Sequence, residues 1–164
     1  IDASRAIDFL LSRDEIDATR IGVTGGSQGG GLTIVTAALR PEVRAAVAAA
    51  PFPCGSMRSA ELARTYPFQE IRDYLRLYPE REPAVAEMLA YFDGIHFASR
   101  ITCPIMVHYG LQDSICPAET VAAACEAITA EERHVYPYDG HGHDAGRAKH
   151  QPIVDDFFRR HLEP

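Results

Sequence analysis

Apolar and polar positions along this chain alternate between two kinds of period. In residues 2–12, "DASRAIDFLLS", Ala3, Ile7, Leu10 and Leu11 recur at helical spacing, which predicts an amphipathic helix. After a polar connector, "RIGVTG" is short, apolar and rich in Ile and Val, the pattern of a buried strand. "QGGGLTIVTAALR" predicts a helix stopped by Pro41, and "VRAAVAAAPF" a second buried strand ending at Pro51 and Pro53. Residues 55–95 read differently. Ile71, Tyr74, Leu75 and Tyr78 share one helical face, as do Val85, Met88, Leu89 and Phe92, with breaks near Pro67, Pro79 and Pro83. This is an all-helical insertion. "CPIMVHYG", residues 103–110, predicts a third strand. Pro117 opens a helix with inner face Val121, Ala124, Cys125 and Ile128. "RHVYPYDG" predicts a fourth strand, and a helix behind Pro152 buries Ile153, Phe157, Phe158 and Leu162.

Strands that alternate with helices predict an α/β fold, a parallel sheet with helices on both faces. With 164 residues the chain holds one domain, spanning 1–164, and not two. No apolar run approaches the roughly 18–20 residues that cross a bilayer. Net charge is −7, and Lys and Arg do not cluster, which argues against nucleic acid or an anionic membrane as partner. Cys54, Cys103, Cys116 and Cys125 have neither CxxC nor zinc-ligand spacing, and their apolar neighbours predict reduced, mostly buried thiols.

The candidate chemistry sits in "GGSQG", residues 25–29, where the first strand meets its helix. A serine hydroxyl attacks a carbonyl only if a base takes its proton and the resulting oxyanion is stabilised. A sharp strand-to-helix turn presents such a serine above the sheet, and it brings the residues two before and two after it close together. Gly25 and Gly29 stand there, so Ser27 is the candidate nucleophile. The N–H of Gln28, at the positive end of the following helix, is the candidate oxyanion donor. Gly30 and Gly31 let that helix lie close to its neighbours. A phosphate loop fits less well, since neither Gly-Lys-Ser/Thr nor G-x-G-x-x-G is present.

A base and an orienting acid belong after later strands, in the order Ser, Asp or Glu, His. Asp113 follows the third strand in "GLQDSICP", and His141 follows the fourth in "YDGHGHD". His141 is preferred as base because it comes first after the strand, behind Gly140. His143, two positions on, is its rival. Asp139 and Asp144 read as loop-capping or solvated carboxylates. A metal held by His141, His143 and Asp144 is disfavoured, because three ligands crowded into four loop residues rarely converge on one ion. No metal or cofactor is expected.

Three stretches, "RIGVTGGSQGGG", "YFDGIHFASRITCPIMVHYGLQDSICPA" and "VYPYDGHG", resemble the acetyl xylan esterase and cephalosporin C deacetylase family of carbohydrate esterases. The likeness runs over nearly the whole chain. The family's serine followed by glutamine matches Ser27 and Gln28, its acid matches Asp113, and its base matches His141. The resemblance implies an α/β-hydrolase fold and deacetylation of small acetylated carbohydrates, with cephalosporin C often accepted. It also implies no metal and a cytoplasmic homo-oligomer, usually a hexamer.

Two features depart from the family pattern. The family has Glu after its catalytic His, whereas Gly142 follows His141. Its Arg-Gly-Gln motif and the upstream tyrosine that supplies a second oxyanion donor have no counterpart here. The chain therefore looks like the C-terminal portion of the fold. Its nucleophile strand is expected to have an unpaired apolar edge, which would pair with another copy or with the missing N-terminal half. Beside the serine esterase stand two other readings: a peptidase of the prolyl oligopeptidase type, which shares the order Ser, Asp, His, and a silent fragment acting as an assembly module.

Overall fold

Four of the apolar runs are strands and the helical periods are helices in a computed structural model that describes residues 1–164. The strands are β1 (Ile21–Gly26), β2 (Val43–Ala49), β3 (Ile105–Gly110) and β4 (Arg133–Tyr138). They form one parallel sheet in the order β1-β2-β3-β4. Helix α1 (Asp2–Leu11) precedes β1, α2 (Gln28–Leu39) crosses from β1 to β2, α7 (Ala118–Ala127) crosses from β3 to β4, and α8 (Arg147–Leu162) closes the chain.

The two faces of β2 show how the sheet is covered. Ala46 and Ala48 pack into the larger core, with Ile7 of α1, Ile34 of α2 and Val121 of α7. Ala45 and Val47 point the other way, onto Met106, Val154 and Phe157, so α8 covers that face. Every residue of β3 is buried, as its unbroken apolar run requires. Arg40 ties α1 to this frame through Asp8 at 2.7 Å, Glu42 at 3.0 Å and the Ser4 carbonyl at 2.6 Å.

Residues 55–95 are helical, as expected: α3 (Ser56–Leu62), α4 (Phe68–Leu77), a 3₁₀ turn (Pro79–Arg81) and α5 (Glu82–Ala90), followed by α6 (Ile95–Ala98). Their apolar faces are only half covered. Ile71, Leu75, Val85 and Leu89 are half-buried, whereas Tyr74, Tyr78, Met88 and Phe92 are exposed. Phe68 is the one large insertion side chain that packs fully, against Phe52, Ala60 and Ala63.

Three other details differ from the sequence pattern. Leu11 is exposed while Ile7 carries the α1 contact. The last helix starts at Arg147, so Pro152 lies inside it rather than ahead of it. In α8, Val154 and Phe157 are the buried pair, and Ile153, Phe158 and Leu162 are half-buried. The face expected for α7, Val121, Ala124, Cys125 and Ile128, is buried throughout, and all four cysteines are free and buried.

Candidate active site

The carboxyl ends of the strands bring the chemistry together. β1 ends at Gly26, opposite Ala49 of β2, and Ser27 follows in a positive-φ backbone conformation with φ 56° and ψ −120°. A non-glycine residue there is strained, and three bonds hold it. The Ser27 N–H donates to the Ala49 carbonyl at 2.9 Å, while the Ser27 carbonyl accepts from Gly31 at 3.1 Å and Phe52 at 2.9 Å.

The glycines around the serine are not equivalent. A Cβ on Gly25 would stand 2.4 Å from the carbonyl carbon and oxygen of Gly29, so Gly25 is demanded by the turn. A Cβ on Gly29 would meet nothing within 4 Å outside its own helix, which corrects the expectation that both ends of the motif lack room. The close approach is one-sided, because the Gly25 Cβ direction points into the turn and that of Gly29 points out of it. Gly30 and Gly31 behave as expected: side chains there would strike the backbone of Ala49 and Pro51, and of Phe52.

Asp113 follows β3. Its side chain is fully buried, and one carboxylate oxygen accepts from the N–H groups of Ile115 at 2.8 Å and Cys116 at 2.9 Å. The other oxygen faces a histidine, which is His143 and not His141. His143 Nδ1 lies 2.8 Å from Asp113 Oδ2, and its Nε2 lies 3.0 Å from Ser27 Oγ. Because a carboxylate only accepts, Nδ1 carries the proton and Nε2 is free to accept from the serine.

His141 is held elsewhere, for a reason that lies in the backbone. Past β4 the chain keeps pairing with the loop after β3. The Tyr138 carbonyl accepts from Leu111 and the His141 carbonyl from Gln112, both at 2.9 Å, and Gly110 has no Cβ where the His141 and Gly142 carbonyls pass. Over this stretch the His141 ring finds other partners, with Nδ1 2.7 Å from Asp144 Oδ2 and Nε2 3.2 Å from Lys149 Nζ. Only the following turn, closed by Ala145 N–H to the Gly142 carbonyl at 3.0 Å, carries an imidazole over Ser27. The sequence held a pointer to this. An acidic residue follows the base in the family pattern, and Asp144 follows His143 whereas Gly142 follows His141.

The remaining loop residues serve the frame. Gln112 bridges to Asp139 at 2.9 Å and accepts from the Gly140 N–H at 2.7 Å. Asp139 also accepts from Gly140, the loop-capping role expected of it. Asp144 accepts from Gly142 and Gly146, and the hydrogen bond from His141 holds its carboxyl below the usual range. His141 and Asp144 thus pair with each other while His143 turns to Asp113. Asp113, Cys116 and His143 do bring one donor atom each within 4.8 Å of one another. The carboxylate and imidazole are engaged with each other, and burial pushes the Cys116 thiol up to about 12.

Ser27 and His143 open onto a cleft of about 690 Å³ between β1 and α8, rimmed by Thr24, Gly26, Arg147, Gln151 and Phe158. A parallel sheet with a strained serine turn and a histidine between that serine and a buried aspartate is an α/β-hydrolase fold. The chain belongs to the acetyl xylan esterase (AXE1) family, whose model matches residues 1–160.

Its similarity to individual proteins follows the same line. The chain is 38% identical over 141 residues to the acetyl esterase Axe7A of Xylanibacter ruminicola, a match covering 84% of this chain and 30% of that protein. The solved acetyl xylan esterase from Paenibacillus sp. R4 superposes with TM-score 0.91 at 38% identity, over 98% of this chain and 51% of that one. Acetyl xylan esterase 1 from Thermoanaerobacterium sp. JW/SL YS485 superposes with TM-score 0.88 at 33% identity, over 99% of this chain and 52% of that one. The chain therefore spans about half the length of these solved relatives and about a third of the curated one.

Proposed function

We propose that this chain carries the catalytic centre of a serine esterase that removes acetyl groups from small acetylated carbohydrates. The observation that carries the reading is the placement of one imidazole, His143, within hydrogen-bond reach of both Ser27 and Asp113. Family membership supplies the reaction class, and the names of the relatives supply acetylated xylan as the substrate type.

In this reading His143 Nε2 takes the Ser27 proton as Oγ bonds to the acetyl carbonyl carbon. The resulting oxyanion meets the N–H of Gln28. As the first residue of α2, Gln28 has an N–H with no partner inside the helix. Asp113 fixes the tautomer of His143 and stabilises the imidazolium. Collapse breaks the ester C–O bond, and the His143 imidazolium gives its proton to the departing sugar oxygen, which leaves as the hydroxyl. Water then attacks the acetyl-enzyme with His143 again as base, releasing acetate and restoring Ser27.

The family's second oxyanion donor, an upstream tyrosine, has no counterpart in these residues. An active site short of one donor loses about 10²- to 10³-fold in turnover. We infer that full activity needs association with a segment that provides it, either a further half of the fold or a homo-oligomeric neighbour.

A fluorophosphonate probe tests the triad without depending on full turnover. Stoichiometric labelling at Ser27, lost in Ser27→Ala and in His143→Ala, is the expected outcome. Equal labelling of the His143→Ala protein would overturn the assignment.

A further inference from the structure

We propose that His108, a residue of β3 with no role in the triad, is a positioning residue that fixes His143 against Ser27 by anchoring the turn around it. The inference rests on the esterase reading above.

The turn from Gly142 to Gly146 holds His143 as its second residue and is strained. Ala145 has φ 53° and Gly146 has φ 65°, two consecutive left-handed residues, and an alanine in that region is disfavoured. Such a conformation persists only where the surroundings over-determine it. Most of its bonds are internal: Ala145 N–H to the Gly142 carbonyl, and the N–H groups of Gly142 and Gly146 to the Asp144 carboxylate. These close the turn on itself but do not place it over Ser27.

His108 supplies that placement from beneath. Its ring is buried, and Nδ1 lies 2.8 Å from the Ala145 carbonyl, two residues beyond His143. A carbonyl only accepts, so His108 carries its proton on Nδ1 and donates. The backbone of His108 faces Ala49 of β2, whose carbonyl holds the Ser27 N–H. One rigid strand register therefore reaches the base through a side chain and the nucleophile through a neighbouring strand.

The ring has little freedom to swing. It stacks on the fully buried His150 with centroids 4.0 Å apart. His150 is itself fixed, with Nδ1 2.7 Å from the Tyr138 hydroxyl and Nε2 3.0 Å from Met106 Sδ. Burial keeps both imidazoles neutral by lowering their pKa values, so the stack carries no like-charge repulsion.

The test compares His108→Leu with His108→Asn, whose amide N–H can take the place of Nδ1. The readouts are acetyl-ester kcat and KM, the rate of fluorophosphonate labelling at Ser27, and the melting temperature. Leucine is expected to lower kcat and labelling about 10²-fold with KM little changed, because a misplaced base costs reaction geometry rather than binding. Asparagine is expected to restore most of the loss. Wild-type labelling in His108→Leu, or no rescue by asparagine at equal melting temperature, would overturn the proposal. Should the leucine variant fail to fold, the unmodified protein still decides the matter: imidazole nitrogen spectra must show His108 protonated on Nδ1, and an Nε2–H ring overturns it. Loss of labelling in His143→Ala with none in His108→Leu defeats this inference alone, whereas retained labelling in His143→Ala defeats the esterase reading first.

Discussion

His143 Nε2 lies 3.0 Å from Ser27 Oγ, across 116 residues of chain, while His141, only two residues away from His143, turns from the serine to Asp144. Of two histidines in one short loop, one meets the candidate nucleophile and the other supports the loop. The difference is set by where backbone pairing with the Asp113 loop stops, and it separates the two rings chemically.

Substitution should reproduce that separation. His143→Ala is expected to reduce acetyl-ester turnover by about 10³-fold or more, as loss of a general base does in a triad. His141→Ala removes a bond to Asp144 within the loop and is expected to keep activity within about tenfold, a modest geometric loss. Steady-state rates of the two variants measured side by side decide it. A reversed ranking would return the base to His141.

The glycines of the serine turn give a stability prediction of the same kind. Gly25→Ala places a methyl 2.4 Å from backbone that cannot move without opening the turn, and it is expected to prevent folding or lower the melting temperature steeply. Gly29→Ala has open space and a helical position, so it is expected to be neutral or to stabilise by up to about 1 kcal/mol. Thermal melts of the two purified variants test the pair, and equal destabilisation by both would contradict the one-sided approach.

What could be read from the chain divides along the same line. The strands, the α7 face and the serine turn rest on local signals: apolar runs bounded by Gly and Pro, helical spacing, and a glycine two residues before a serine. Asp113 was legible because the residues after a strand end are few. The base was not, because choosing between His141 and His143 depends on how far the loop after β4 keeps pairing with Gln112 and Gly110. That is a contact between distant segments with no period of its own. The insertion's helices were legible, but the extent of their cover was not. Its helices have apolar stripes, but Tyr74, Tyr78, Met88 and Phe92 stay exposed, and spacing alone does not tell a covered stripe from a bare one.

The four cysteines are expected to be inert in the native protein. All are free and buried, and desolvation pushes Cys116 and Cys125 to about 12 and raises Cys54 and Cys103 as well. The thiolate is the reactive form, so an aromatic disulfide reagent at pH 8 should react slowly with the folded chain and with four thiols once denaturant is added. Rapid native reaction at Cys116, beside Asp113, would show that the loop after β3 opens.

Stability should fall on mild acidification through His150. Burial, and behind it the neighbouring His108, holds its folded pKa at about 4 against an ordinary 6.5. Above pH 6.5 the ring is neutral in both states and the stability is complete. Between 6.5 and 4 the unfolded chain binds the proton and the folded one does not, so stability is lost, by up to about 3 kcal/mol. Urea midpoints at steps across that window test this. His150→Gln should flatten the dependence there, and an unchanged slope in that variant would assign the proton uptake to other groups.

The edge of β1 carries the last prediction. β1 hydrogen-bonds β2 on one side and no strand on the other, so the N–H and C=O groups along that side are free to template a partner. The cleft beside it, floored by Val47 and Phe158, leaves apolar surface next to the same edge. The solved relatives are about twice as long as the part this chain matches, which provides material for such a partner. We predict that the 164-residue chain alone self-associates, with sedimentation coefficients that rise with concentration. Thr24→Lys, which sets a charge at the exposed strand residue lining that cleft, should weaken the association because a bare lysine on an edge resists docking. A monodisperse monomer with a sharp melt would mean that the edge is protected in some other way.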